Sequence, residues 1–267
     1  MSHPLNTPLG RFGIVTSVDG PAECVASIPV GGMTNALTGA PTIAPLAMLV
    51  DHACGLVNHR RRGPDEWTVS SELSVEVDPD AAAIIAEAPE EPVVATARPF
   101  GRKTDVALAV CDLAHRDTVL ATATVRSFYI RTPGALGSFS DGPTGPMPPG
   151  TLADRMAVRV AEGGGAGQVL LQGEDPVLNN LIGIVHGGVS AMALEMVASA
   201  AINSARDDDL LRTSSLRVNF LRPFHSGAES RYVGTSLRVG RSTGVGEAQA
   251  IGSGGAPAII ARLTGYR

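Results

Sequence analysis

Aromatic residues are scarce: Trp, Tyr and Phe make up 4% of the 267 residues. A core with so few rings must be built from small and β-branched side chains. Charged residues are also few, 18% against 44% hydrophobic, which excludes disorder for most of the chain. The net charge of −5 excludes a broad basic surface of the kind that holds nucleic acid. Cysteine is limited to Cys24, Cys54 and Cys111, an odd number with no CxxC pair. That rules out a fully paired disulfide framework and predicts a reducing, cytoplasmic setting. The opening residues, MSHPLNTPLGRF, lack the charged-then-apolar pattern of a signal peptide. There is no HExxH, and His52 and His59 have no cysteine partner set, so no metal is expected. GVGEAQAIGSGG lacks the spacing and the following helix of a dinucleotide fingerprint, and no cofactor is expected.

Glycine and proline are plentiful, and they concentrate. Ten of the eighteen residues from Pro133 to Gly150 are Gly or Pro, which reads as a linker. The predicted units are 1–131, a linker at 132–150, and 151–267. The two halves match each other. At an offset of 144, Asp51 falls on Glu195 and Pro79 on Pro223; at 139, Gly101 falls on Gly240. Each half runs short strand, long apolar segment, then several strands joined by short connections. This is an α+β unit with an antiparallel sheet. In WTVSSELSVEV, Trp67, Val69, Leu73, Val75 and Val77 are assigned to one face, and Thr68, Ser70, Glu72, Ser74 and Glu76 to the other.

The long apolar segments run from about Thr42 to His59 and from about Gly187 to Ala205. Both are predicted to be helices buried on all sides. Their length approaches a membrane span, but each carries one mid-segment acid, Asp51 or Glu195, among many small residues, which disfavours insertion. A buried carboxylate is costly unless paired or protonated, and the cost raises its pKa toward acid–base work. Before the second helix stands NNLIGIVHGG, with Asn180, Gly183, His186, Gly187 and Gly188. First-turn N–H groups left bare by two glycines form a site for an oxyanion or a polarised carbonyl.

The pattern N-x-x-G-x-x-H-G-G followed by an acid nine residues after the His resembles the hotdog-fold acyl-CoA thioesterases of the phenylacetate-degradation (PaaI-like) type. TSSLRVNFLRP also resembles that family's strand after the helix, and VGRSTGVGEAQAIGSGGAPAIIARLTGY its closing strands. The likeness covers about Leu152 to Arg267. Through the repeat, the whole chain resembles two tandem hotdog domains, each an antiparallel sheet wrapped around a long central helix. The resemblance implies thioester hydrolysis of an acyl-CoA between the two units. Asn180 and the Gly187 amide match its carbonyl-binding positions, with His186 and Gly188 in the same turn. Glu195 matches its catalytic acid. Thr213 falls where a hydroxyl assists, and Ser199, one turn after Glu195, is the other candidate. Arg102 and Arg241, at equivalent turns after Gly101 and Gly240, are candidates for coenzyme A phosphates or simply solvated charges.

Pairing across halves implies two unequal sites. One joins Asn180 and Gly187 to Asp51; the other joins Glu195 and Thr213 to the first helix start, where Thr42-Ile43-Ala44 replaces His-Gly-Gly. Ala36 falls opposite Asn180, with Asn35 adjacent, and Val69 falls opposite Thr213, so the Asp51 site is expected to lack a hydroxyl. The stronger oxyanion hole favours the Asp51–Gly187 site. The expected partner is an acyl-CoA, with neither nucleic acid nor membrane, and a homo-oligomer through sheet edges or helices is compatible. A hotdog hydratase using His186 with Asp51, and a non-catalytic acyl-CoA-binding module, are the alternatives.

Overall fold

Period-two alternation along the strands is realised as one antiparallel sheet, visible in burial that alternates residue by residue along β5 (Val106–His115) and β11 (Thr243–Ile251). The computed structural model describes residues 1–132, 136, 142–147, 149–162, 168–206 and 209–267. The other elements, in order, are α1 (Pro8–Arg11), β1 (Val15–Asp19), β2 (Cys24–Ile28), α2 (Pro45–Arg60), β3 (Glu66–Val77), α3 (Ala81–Ala86), β4 (Val93–Phe100), β6 (Thr118–Arg131), α4 (Leu152–Met156), β7 (Val158–Val160), β8 (Gln168–Gln172), α5 (Gly187–Asn203), β9 (Arg212–Phe220), β10 (Arg231–Val239) and β12 (Pro257–Tyr266). The strand order is β1-β2-β4-β5-β6-β3-β9-β12-β11-β10-β8-β7. Read outward from the centre, the two sides repeat position for position. They join where Leu73, Ser74 and Val75 pair with Val218, Arg217 and Leu216.

The two long helices form where the apolar segments predict them. Pro45 opens α2, where a missing N–H is harmless and a fixed φ suits the turn; His59 and Arg60 end it on the favourable side of its dipole. In α5 every residue but Gly187 and Ser199 is buried. Burying Val189, Met192, Leu194, Met196, Val197 and Ile202 favours folding by roughly 1.5–3 kcal/mol each before chain entropy is counted. α2 packs on β2 to β6, α5 packs on β8 to β12, and the helices touch each other. Glycine sets the closeness at two points. A Cβ on Gly234 of β10 would lie 2.1 Å from the Val197 carbonyl oxygen of α5. One on Gly188 would lie 2.6 Å from Met48 Sδ and 2.9 Å from Met48 Cα of α2.

Of the predicted linker, 133–135, 137–141 and 148 lie outside the described residues, as does Gly167 of the predicted strand GQVLLQG. Within the described part, the Pro143 carbonyl accepts a hydrogen bond from the Leu5 N–H at 2.9 Å. Among the described residues, no helix is long and apolar enough to cross a membrane.

Candidate active site

The helix contact brings Asp51 of α2 against the start of α5. Asp51 is 7% exposed. Its Oδ1 accepts a hydrogen bond from Ser70 Oγ of β3 at 3.0 Å, and its Oδ2 lies 3.4 Å from His186 Nδ1. A Cβ on Gly187 would stand 3.0 Å from that same Oδ2 and 3.2 Å from the Phe220 ring. A side chain at 187 would crowd the carboxylate, so the bare glycine leaves the helix start open to Asp51. No protein group takes the Gly187 N–H among the described residues. His186 caps α5: its Nδ1 accepts the Gly188 N–H at 3.1 Å, so that nitrogen carries no hydrogen to give Asp51. Burial lowers the His186 pKa and Asp51 opposes the shift, consistent with a neutral ring. Asn180 uses its side-chain oxygen on the N–H groups of Ile182 and Ile184, at 3.1 and 3.3 Å. These two donors fix which way the amide points, and its NH2 has no acceptor among the described residues.

The related place in the other half is filled. Glu195 of α5 is 3% exposed, and both its oxygens are engaged: Oε1 by Thr213 Oγ1 at 2.6 Å and Oε2 by Thr42 Oγ1 at 3.2 Å. The Asn35 amide donates to Met196 O at 2.9 Å and Ser199 Oγ at 3.1 Å, so both donors close onto α5. Ile43 stands where Gly187 stands in the second half, Pro45 offers no N–H, and the Ala44 N–H is taken by Thr42 Oγ1 at 3.1 Å.

Burial raises the Glu195 pKa above its ordinary 4.5, and the hydrogen bonds from Thr213, Thr42 and Ser199 oppose that only in part. Below the unfolded value both states hold the proton, and the contribution to stability is complete. As pH rises through the window up to the folded value, the unfolded chain ionises first and that contribution is lost. Glu195→Gln, which does not ionise, is expected to melt higher than the parent at pH 8, with the difference shrinking toward pH 4. Thermal melts across that range check the sign, and a constant difference would mean Glu195 is not the titrating group.

Two expectations need correction. The Asp51 site does have a hydroxyl: Ser70, not Val69, is the structural counterpart of Thr213. Ser71 is an extra residue in the β3–β6 pairing, between Ser70↔Ser127 and Glu72↔Arg126. Ser214 is likewise extra in the β9–β12 pairing. These bulges reverse the side-chain parity, so Ser70 joins Leu73, Val75 and Val77 on the helix side. Asn35, not Ala36, is the counterpart of Asn180, since each accepts the backbone N–H two residues on. His186 and Asp51, the pair named for the hydratase alternative, do lie together. Ser199 lies in the Glu195 cluster. Arg102 and Arg241 are exposed and are not among the residues lining the cleft at Asp51.

That cleft has a volume of about 820 Å³ and contains Asp51, Ser70, Asn180, His186 and Gly187 in its wall. Of the chain's few rings, Trp67, Phe128, Phe220 and Phe224 line it. One face of α2 (Asp51, His52, Gly55, Leu56, His59, Arg60) forms its floor. A Cβ on Gly55 would meet nothing within 4 Å. Gly55→Ala is therefore expected to stabilise the helix by about 0.5–1 kcal/mol, seen as a raised Tm. A lower Tm would show that the wall is tighter there than the open space implies. Among the described residues, no group of three His, Cys, Asp or Glu is placed to hold a metal ion.

Comparison with known proteins bears on this wall directly. Residues 182–257, which include His186, Gly187, Glu195 and Thr213, match the Thioesterase superfamily. No curated protein matches the chain. Among solved structures, a hot dog fold protein of unknown function from Alicyclobacillus acidocaldarius has a TM-score of 0.61 at 15% identity, covering 100% of this chain and 99% of that one. The acyl-CoA thioesterase II TesB2 of Mycobacterium marinum has a TM-score of 0.60 at 11% identity, covering 96% and 95%. The tesB protein of Mycobacterium avium subs paratuberculosis has 0.59 at 11%, covering 94% and 94%. At these identities the likeness shows the fold, and the fold is the hot dog, along the whole chain.

Proposed function

We propose that the protein hydrolyses the thioester of an acyl-CoA in the cleft between its halves, with Asp51 as the reacting carboxylate. In this reading the chain is two tandem hotdog domains, 1–131 and 151–267, of the PaaI-like type. The observation that carries the site choice is the state of the two asparagines. On the Asp51 side the Asn180 NH2 and the Gly187 N–H are unused; on the Glu195 side both amide donors of Asn35 close onto α5. A thioester carbonyl oxygen seated at Gly187 and Asn180 meets preorganised donors at the positive end of a helix, and charge growing there is stabilised by roughly 3–4 kcal/mol per donor. Ser70 holds one oxygen of Asp51, leaving the other to take a proton from water or to attack the carbonyl carbon. In the first route the water oxygen bonds to the carbonyl carbon as the C–S bond breaks; in the second Asp51 forms a mixed anhydride as the C–S bond breaks, and water then cleaves it, so both leave the thiol and the acid. Coenzyme A enters as part of the substrate. Among the arginines of the cleft, Arg60 is paired with Asp19, whereas the Arg222 guanidinium has no partner among the described residues and is the better candidate for its phosphates.

The proximity of His186 to Asp51 is what a hydratase would use, but the His186 nitrogen nearest Asp51 already accepts the Gly188 N–H. A thiol-release assay over a panel of acyl-CoAs, run beside an enoyl-CoA absorbance assay, tests both. Thiol release is expected. Loss of the enoyl signal without thiol release would replace hydrolysis with hydration, and neither signal on any acyl-CoA would leave a binding module.

A further inference from the structure

His52 follows Asp51 on α2 and is only 8% exposed, yet it lines the cleft. Its Nε2 lies 2.9 Å from Thr16 Oγ1, and the same hydroxyl lies 2.9 Å from His3 Nε2. Thr16 is itself 4% exposed. A hydroxyl has one hydrogen, so it donates to one imidazole and accepts from the other. His52 Nδ1, by contrast, has no partner among the described residues. It is not one of the fully buried unpaired polar atoms, so water reaches it from the cleft, and an alkyl chain pressed against it would remove that water and return nothing.

Resting on the hydrolytic reading above, we infer that His52 recognises an uncharged hydrogen-bonding group of the thioester substrate, a hydroxyl, ketone or amide a few bonds from the scissile carbonyl. His52 and Asp51 point about 100° apart around α2 yet both line the cleft, so the recognised group lies beside the scissile carbonyl rather than on it. Burial, with His3 and His186 adding to it, holds the His52 pKa down to about 3, and burial also lowers that of His3. Both rings are neutral at pH 7 and supply no cation for a carboxylate. Reversing the His3–Thr16–His52 chain turns His52 Nδ1 from donor to acceptor, so the site takes either a hydroxyl or a carbonyl. Two parts of the substrate carry such chemistry: an oxygenated acyl group, and the amides of the pantetheine arm.

The test compares the parent with His52→Leu and His52→Gln on matched thioesters. A straight-chain acyl group and its 3-hydroxy counterpart are each carried on coenzyme A, on N-acetylcysteamine and on a plain alkanethiol. His52→Leu is expected to lose about three- to tenfold in kcat/KM, with His52→Gln restoring part of it. Loss confined to hydroxyacyl thioesters assigns His52 to the acyl group. Loss on both amide-bearing thiols, absent on the alkanethiol, assigns it to the arm. No loss on any thioester, or equal loss on the unsubstituted alkanethiol ester, overturns the inference. If the parent hydrolyses none of them, the hydrolytic reading fails separately. Nitrogen-15 spectra of the histidines, titrated with a thioether analogue of an acyl-CoA, then decide the ring's role: a shifted His52 signal supports it and an unmoved one overturns it.

Discussion

Asp51→Asn is expected to lower kcat/KM for thioester hydrolysis by about a thousandfold or more, with KM little changed. The substitution keeps the shape of the side chain and an oxygen for Ser70 Oγ, 3.0 Å away in the parent. It removes the ability to accept a proton or to attack the carbonyl. Packing against Gly187 and Met48 should survive, so circular dichroism and Tm should stay close to the parent. Ser70→Ala is expected to cost less, about tenfold, because it frees the carboxylate to turn without removing it. Glu195→Gln should leave turnover near the parent level, since both Glu195 oxygens are held by threonine hydroxyls and both amide donors of Asn35 close onto α5. The reverse outcome, an active Asp51→Asn and an inactive Glu195→Gln, would move the chemistry to the other site and sink the assignment made from the asparagines.

The acids and the glycine pair were readable from the chain because each breaks a simple rule. A lone carboxylate in a nineteen-residue apolar run, and two glycines where a helix should begin, stand out without any knowledge of neighbours. The antiparallel arrangement was readable for a related reason: short connections leave no room for crossover helices, although they do not reveal that β3 pairs with β6 and β9 rather than with β2 or β4. Ser70 was hidden by a different physics. Its direction depends on a bulge at Ser71, and one extra residue reverses the face of everything before it. Alternation counted from Val77 back to Trp67 passes through the bulge unmarked, and aligning Pro79 with Pro223 carries the slip to Val69. The bulges do leave a trace. Ser70-Ser71 and Thr213-Ser214 match at an offset of 143, as do Leu73 with Leu216 and Val75 with Val218. His52 gave no signal at all, because Thr16 and His3 reach it only through the folding of β1 onto α2. Arg102 and Arg241 failed in the opposite sense: a local turn placed them well in sequence, while the cleft formed elsewhere.

Gly188→Ala is expected to separate the two helices and to slow the enzyme without touching a reacting group. The added methyl would lie 2.6 Å from Met48 Sδ, 2.9 Å from Met48 Cα and 3.3 Å from Asp51 Cβ. The thioether can swing aside. The Cα is backbone of α2 and cannot, so the helix must retreat by about 0.5 Å to reach the 3.4 Å of ordinary contact. Asp51 is one turn along from Met48 and retreats with it, away from the Gly187 N–H. Misplacement by 1 Å can cost about a hundredfold, so a shift of this size is expected to cost about tenfold in kcat. Overpacking between two buried helices should also lower stability by about 1–3 kcal/mol. Rates measured well below the melting transition, with Gly252→Ala as a control whose Cβ meets nothing within 4 Å, separate the two effects. Turnover at the parent level in a folded Gly188→Ala protein would mean that the spacing between Asp51 and the start of α5 does not set the rate, and that the carboxylate acts from further away than the helix contact implies.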